Sequence, residues 1–444
     1  MSFTNKSKQQ TNQENDKAGT YPLEHVPLAA RKSFFSVASI LIGFTFFSPT
    51  IVAGAQVGSA FPFGRLMIIL VLGNLILGIY SACMSSIGAQ TGLGAVLLSK
   101  YTPGKYGVKW ADLLLGGTEM GWYAVNANFI GTLYATAFDK PDMVVFWTIF
   151  WAVVMGITVI WGFKAVSIIA YGSLPMIVIL VGLVPILALN KVGSLQALLA
   201  IQPLSSMSFA TAITVIIGTF AAGGTQCNNW SKFCKNGKEG FWAGFLAFFI
   251  GNALMVFVGM VAAVAFQESD IAVIFRSMGI MGLAVLILTF NLWSSQNAGA
   301  SAVGFAGSEL FGKPKYRLYI GVGIVISTIA AVSGVYQYFV PFLVILGTVI
   351  PPLGGTIIGD FFFTWKRKLP RLEYVEFKAF RIAPIASYLV GTAVAMITSQ
   401  MNIGLPPLQG IVAAAVCVPI ANAVVKACNI DDMHKIKEDA EYTE

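Results

Sequence analysis

Phe46-Phe47-Ser48-Pro49, with Gly43 before it and Gly54 after it, interrupts an otherwise apolar run from Ser33 to Gly58. A proline in mid-helix removes a backbone donor and disrupts the turn before it, so this run reads as a membrane-crossing helix broken near its middle. The sixth apolar run carries a similar interruption, Gly218-Thr219-Phe220-Ala221-Ala222-Gly223-Gly224-Thr225. Gly and Pro are common in membrane helices generally, so either break alone has two readings. Unwound backbone at mid-depth is tolerated only where it lines a cavity or is buried in protein. Broken helices at corresponding positions of two halves point to the binding site of a secondary transporter. The pair therefore implies two five-helix repeats of inverted topology followed by two extra spans.

Composition agrees. The 444 residues are 56% hydrophobic and 11% charged, with a mean hydropathy of +0.75, whereas a soluble domain carries about 25% charged residues. At roughly 20 apolar residues per crossing, the chain resolves into about twelve spans. These lie near 34–58, 65–90, 110–136, 142–163, 166–189, 209–228, 240–265, 278–304, 317–336, 338–361, 382–400 and 406–427. The expected organisation is a polar tail at 1–32 and a ten-helix core at 33–362, with repeats at about 33–190 and 205–362. A loop with two added helices at 363–428 and a second polar, unstructured tail at 429–444 complete it. The first thirty residues lack the apolar core of a signal peptide.

The net charge of +8 is a topology signal and does not argue for nucleic acid. Lys and Arg gather on alternate loops: Arg31 and Lys32; Lys100, Lys105 and Lys109; Lys164; Lys232, Lys235 and Lys238; Lys313, Lys315 and Arg317. The densest group is Lys366, Arg367, Lys368, Arg371, Lys378 and Arg381. The positive-inside rule then puts both termini in the cytoplasm. Cys83, Cys227, Cys234, Cys417 and Cys428 show no metal-ligand spacing and read as packing residues, and the two histidines, His25 and His434, lie outside the spans. An enzyme would need a catalytic constellation and a channel a continuous polar pore; neither is legible. A sensor without transport is the third class, although no signalling domain is appended.

Within the third span, Leu113 to Asn126 reads Leu-Leu-Leu-Gly-Gly-Thr-Glu-Met-Gly-Trp-Tyr-Ala-Val-Asn. Glu119, Trp122 and Asn126 follow at steps of three and four and share a helix face. An ionisable group at membrane depth is by default a functional-site hypothesis, and an acid, an aromatic plane and an amide together suit a flat, hydrogen-bonding heterocycle. In the eighth span Asn291, Ser294 and Ser295 put three oxygen-bearing side chains on one face. Such oxygens suit a hard cation such as Na⁺, with carbonyls of the first break around Gly43 and Phe46 completing a shell; interhelical hydrogen bonding explains the same face. Pro351-Pro352-Leu353-Gly354-Gly355 bends the tenth span, and Asp360 reads as a charge partner for the Lys366–Lys368 end or as a proton carrier.

Gly73–Tyr80, Ile87–Leu93, Leu113–Trp122, Gly218–Phe233, Asn291–Trp293 and Pro351–Asp360 together, in order, resemble the bacterial cytosine permeases of the nucleobase:cation symporter family. The resemblance implies a leucine-transporter-like fold, alternating access, and a ligand held between two aromatics, here Trp122 and Phe220. It also implies a polar partner at Glu119 and Na⁺ held by the carbonyls of Gly43 and Phe46 with Asn291, Ser294 and Ser295. Phe47, Ser48, Ala222, Gln296 and Asn126 are the further candidate substrate contacts. The chain departs from the family pattern at Glu119, where glutamine is usual, at Ala221-Ala222-Gly223, at Asn126 and Asn128, and at Ser294 and Ser295, where threonines are usual.

Stacking is worth roughly 1–3 kcal/mol per base, so two faces could supply about half of the roughly 8 kcal/mol behind micromolar binding. Edge hydrogen bonds supply the rest. An ionised Glu119 only accepts and favours a ring edge with two donors; a protonated one mimics glutamine. The expected function is cation-coupled import of cytosine or a related nucleobase through the cell (inner) membrane by a monomer in the lipid bilayer, without an organic cofactor. The alternative is a purine or another amino-substituted heterocycle, such as a thiamine-precursor pyrimidine, with proton coupling through Glu119.

Overall fold

The computed structural model describes Tyr21 and residues 24–161, 163–311 and 315–443. Most of the 1–32 tail, together with Lys313, lies outside them. Twelve long helical segments run through the described residues, and we number them as spans. They are α1 (Phe34–Thr45, continued as Pro49–Gly58), α2 (Phe63–Thr91), α3 (Gly107–Ala137), α4 (Val144–Trp161), α5 (Phe163–Val192) and α6 (Phe209–Gly218, continued as Ala221–Ser231). The others are α7 (Gly237–Phe266), α8 (Met281–Phe311), α9 (Tyr316–Val332), α10 (Val335–Thr364), α11 (Ile382–Gln400) and α12 (Pro406–Ala427). Short helices at Ala95–Tyr101, Leu195–Ala200 and Ile271–Ser277 are additions that hydropathy does not signal.

Both expected breaks are present. The halves of α1 meet at 59° and those of α6 at 48°. Seven unbroken helices and these two pairs are apolar and long enough to cross a membrane. The helices α3 and α8 are not among them, and they carry Glu119, Asn291, Ser294, Ser295 and Gln296. The polar side chains needed inside lower the hydropathy of the very spans that hold them.

Two helix groups result. In one, α1 and α2 pack with α6 and α7; in the other, α3 and α4 pack with α8 and α9. The repeat pattern explains the pairing, because first and second helices of each repeat share one group and third and fourth share the other. The helix α5 bridges the groups, and α10 runs from α6 to α11 and α12 on the outside. The second half of α1 lies against α7 backbone to backbone. A methyl on Gly54 would overlap the Val256 carbonyl, and one on Gly259 would overlap that of Ile51.

The end at which the described residues begin and finish is closed by polar contacts. Lys32 N donates to Phe233 O (2.7 Å), and Val26 N to Gly92 O (3.0 Å). Asp360 does not pair with Lys366–Lys368. It takes both forks of Arg381, at 2.6 and 3.1 Å, and neither side chain has any solvent exposure. Trp365 Nε1 donates to Asp360 (3.0 Å), and Arg381 also donates to the carbonyls of Tyr101 (2.6 Å) and Asp432 (3.3 Å). A buried charge pair persists only when its remaining polar atoms are satisfied, and here they are. The basic 10–11 loop supplied the partner because the chain turns back at Arg381 to start α11.

The C-terminal segment, expected to be unstructured, folds over this node through residue 443. Lys435–Ile436 pairs antiparallel with Val375–Glu376. Asp432 accepts from Ile382 N (2.6 Å) and Ala383 N (3.0 Å), capping α11, as a carboxylate does at a helix N-terminus. His434 Nδ1 accepts from Lys378 N (3.1 Å), so its proton resides on Nε2, which faces Tyr101 O at 3.0 Å.

Burial, reinforced by the Arg381 charge, pushes the His434 pKa down to about 4. A second ring proton would also point at the Lys378 N–H. Since the unfolded chain takes up this proton near the usual 6.5, stability rises with pH between about 4 and 6.5. We expect the thermal stability of the detergent-purified protein to fall as pH drops through that window, with His434→Phe losing less. The single site sets an upper slope of about 1.4 kcal/mol per pH unit. Equal slopes in the two proteins would contradict this assignment.

Candidate ligand site between the two broken helices

The break in α1 leaves Phe46, Phe47 and Ser48 outside regular helix, and the break in α6 leaves Thr219 and Phe220. The α1 break meets α3 through Phe47, and the α6 break meets the α1 break through the same ring. Phe47 stands edge-on to Trp122 (ring centroids 5.2 Å, 77°) and edge-on to Phe220 (5.8 Å, 72°). Trp122 also meets Phe342 of α10 at 5.3 Å and 80°. Phe220 meets Phe44 at 5.4 Å and Phe248 at 5.7 Å. Trp122, Phe220 and Phe47 are thus brought to one place. Phe44, Phe248 and Phe342 complete an aromatic shell that sequence reasoning missed. Phe339 and Phe342, three apart on α10, were its only legible trace.

Glu119 lies along α8: a methyl on Gly299 would come within 2.9 Å of its Oε2. Among the described residues the carboxylate makes no hydrogen bond or ion pair. The other polar candidates on α3 are engaged. Asn126 Nδ2 donates to Gln296 Oε1 (3.3 Å), and Gln296 Nε2 donates to Tyr123 O (3.0 Å). Asn126 Oδ1 is buried without a partner. Asn128 faces α9, donating to Ala331 O at 3.0 Å. Asn126 and Gln296 therefore tie α3 to α8 and leave one acceptor over. Ala222 sits in the first turn of the second half of α6, where N–H groups have no intrahelical partner.

Asn291 spans the α1 break. Its Nδ2 donates to Phe46 O (2.8 Å) and its Oδ1 accepts from Ser48 N (2.9 Å). The two partners fix which end of the amide is which. Ser295 Oγ donates to Asn291 O (2.9 Å), and Phe46 N donates to Gly43 O (3.3 Å). The hydroxyl of Ser48 is buried without a partner. Gly43, Phe46 and Asn291 thus come together with Ser48, both carbonyls already accept hydrogen bonds, and the Ser295 hydroxyl is spent on its own helix. Among the described residues, no group of three or more His, Cys, Asp or Glu is placed to hold a metal; neutral oxygens are what this locus offers.

Replacing Asn291 by leucine would strand Phe46 O and Ser48 N, and each buried unpaired group costs about 1–3 kcal/mol. We expect Asn291→Leu to lower the melting temperature in detergent by several degrees without any ligand present. An unchanged melting temperature would show that the amide does not hold the break.

The family described as "Permease for cytosine/purines, uracil, thiamine, allantoin" matches residues 26–418. The cytosine permease of Escherichia coli strain K12 is 29% identical over 403 residues, covering 90% of this chain and 93% of its own. Among solved structures, the inward-facing conformation of Mhp1 superposes with a TM-score of 0.77 at 18% identity, covering 89% of this chain and 92% of that one. The closed form of the same nucleobase-cation-symport-1 transporter with bromovinylhydantoin gives 0.73 at 17% identity, with coverages of 91% and 96%. MhsT with L-phenylalanine gives 0.56 at 17% identity, with coverages of 88% and 97%. At such identities the structural likeness speaks for the fold, a polytopic helical transporter fold with an inverted repeat. The match along most of the sequence says more: the chain belongs to the permease family for cytosine, purines, uracil, thiamine and allantoin, and is a multi-pass membrane transporter and not an enzyme.

Proposed function

We propose that this permease imports cytosine or a related nucleobase by cation-coupled alternating access, with the base lying between Trp122 and Phe220. The observation that carries the reading is Phe47, edge-on to both rings at once, which centres α3 and both breaks on one locus; the base enters as the Phe47 ring turns out of the space between them. For cytosine, Glu119 is protonated and mimics glutamine, its O–H donating to the ring N3 and its C=O accepting from the exocyclic amine. Ionised, it instead suits guanine-like bases, whose ring N–H lies beside an exocyclic amine. The open N–H groups around Ala222 face the ligand's carbonyl side. Ser48, Asn126 and Gln296 line the remaining edge.

Na⁺ is the coupling ion in this reading, held by the carbonyls of Gly43 and Phe46 with Asn291, Ser294 and Ser295. To take it, Asn291 turns its amide so that Oδ1, in place of Nδ2, meets the locus. A purine or another amino-substituted heterocycle with proton coupling at Glu119 is the second reading. It is favoured by a carboxylate that makes no hydrogen bond or ion pair among the described residues. The repeats fall at about 33–190 and 205–362, with the helices of 363–428 added to them. Arg31, Lys105, Lys232 and Lys378 gather where the described residues begin and finish, which supports a cytoplasmic location for that face in the cell membrane. The transport unit is one chain.

Uptake of radiolabelled cytosine into proteoliposomes tests the reading. Trp122→Ala and Phe220→Ala each lose high-affinity uptake while still inserting, since each face contributes roughly 1–3 kcal/mol, about five- to 150-fold in affinity; normal uptake in both would sink the stacking. Glu119→Gln alters the ranking of competing nucleobases more than the maximal rate, and an unchanged ranking counts against an edge contact. In sodium-free buffer with a pH gradient maintained, uptake should collapse; full activity there would remove Na⁺ and favour the proton.

A further inference from the structure

Between Leu246 and Asn252 the helix α7 is not α-helical. Ala247–Gly251 forms a π-helical turn closed by Asn252 N donating to Ala247 O. The extra residue rotates everything after it by about 100°. Before the turn, Gly240 and Gly244 face α2 at Ser85; after it, Gly259 faces α1 at Ile51. The π turn is thus where α7 changes partner, and both breaks converge on it.

Asn252 Nδ2 donates to Asn74 Oδ1 of α2 (2.8 Å) and to Thr219 Oγ1 of α6 (3.2 Å). Asn74 Nδ2 in turn donates to Leu70 O (2.8 Å), and Thr219 Oγ1 to Ile216 O (2.6 Å). Asn74, Thr219 and Asn252 are all buried, so the chain of bonds runs dry. Thr219 is the residue before Phe220. On the same turn, Phe248 packs edge-on to Phe220 (5.7 Å, 82°) and Phe44 (6.5 Å, 69°). Gly251 lies under Thr45, the last helical residue before the α1 break, so closely that a methyl there would overlap the Thr45 hydroxyl.

We infer that the π turn of α7, through Asn252, Phe248 and Gly251, is a positioning element that holds the two broken helices in register and sets Phe220 toward the ligand. Asn252 and Gly251 are positioning residues; neither belongs to the proposed ligand contacts. The inference rests on the reading of Phe220 as a stacking plane. It adds that the plane's orientation is set from behind, by a helix remote from the ligand.

Initial rates of radiolabelled cytosine uptake in proteoliposomes, measured across substrate concentrations, test it. A misplacement near 1 Å at a binding site costs one to two orders of magnitude. Gly251→Ala should therefore raise KM by about tenfold or more while protein in the membrane and maximal rate stay within about twofold. Thr45→Ala alone should leave KM near wild type, and the double variant should return it to within about threefold, as coupled neighbours do. Thr219→Val, nearly isosteric, should raise KM in the same way and decides the matter if Gly251→Ala does not assemble. Wild-type KM in Gly251→Ala and Thr219→Val, or a Gly251→Ala defect that Thr45→Ala fails to relieve, would overturn this inference alone. No uptake by the wild type would overturn it together with the substrate reading on which it rests.

Discussion

A backbone N–H or C=O left bare at membrane depth costs several kcal/mol, and the breaks in α1 and α6 put several of them there. The fold is arranged around covering those groups. At α1 the cover is one side chain: Asn291 of α8 takes Phe46 O with its donor and Ser48 N with its acceptor. At α6 it is a relay in which Thr219 returns its proton to Ile216 O and accepts from Asn252. These covers come from opposite helix groups, α8 from one and α7 from the other. A break covered by a single amide is one whose cover a cation or ligand can replace, whereas one tied by a three-residue network stays in place.

That asymmetry suits a transporter. The aromatic shell is built mostly on the α1, α6 and α7 side, where Phe44, Phe47, Phe220 and Phe248 contact one another. Trp122 and Glu119 come from α3 across from it. A ligand between the two sides would report to both groups at once, which is the requirement for binding to bias an alternating-access equilibrium. Far from the site, the node of Asp360, Arg381, Trp365 and Tyr101 anchors the ends of α10 and α11 under the C-terminal segment.

Much of the fold was legible because membrane crossing imposes a length and a hydropathy. Eleven of the twelve spans were placed to within about four residues, the eighth running seven residues past its expected end to Phe311, and Pro49 and the Gly218–Gly224 run marked both breaks. Trp122, Phe220 and Phe47 were legible as aromatics at or facing those breaks. Asn291 does meet Phe46, but nothing in the residue spacing signals that the asparagine would knit the break with both ends of its amide. Asp360 was read as a charge partner for the nearest basic run; its real partner, Arg381, lies 21 residues on, brought in by a turn of the chain. The C-terminal segment looked unstructured because it is polar and short. Its order comes from capping and strand pairing with a loop some sixty residues earlier. The π turn has no compositional signature: Ala-Phe-Phe-Ile-Gly is ordinary membrane helix until its neighbours demand a change of face.

The central claim is that a planar base lies where the two breaks meet Trp122. Crystals grown with 5-bromocytosine, with data collected at the bromine edge, locate the ligand without reference to activity. The account predicts one anomalous peak within van der Waals reach of the Trp122 and Phe220 rings, with the exocyclic amine turned to Glu119. A peak elsewhere, with the space between Trp122 and Phe220 still filled by protein, would contradict it.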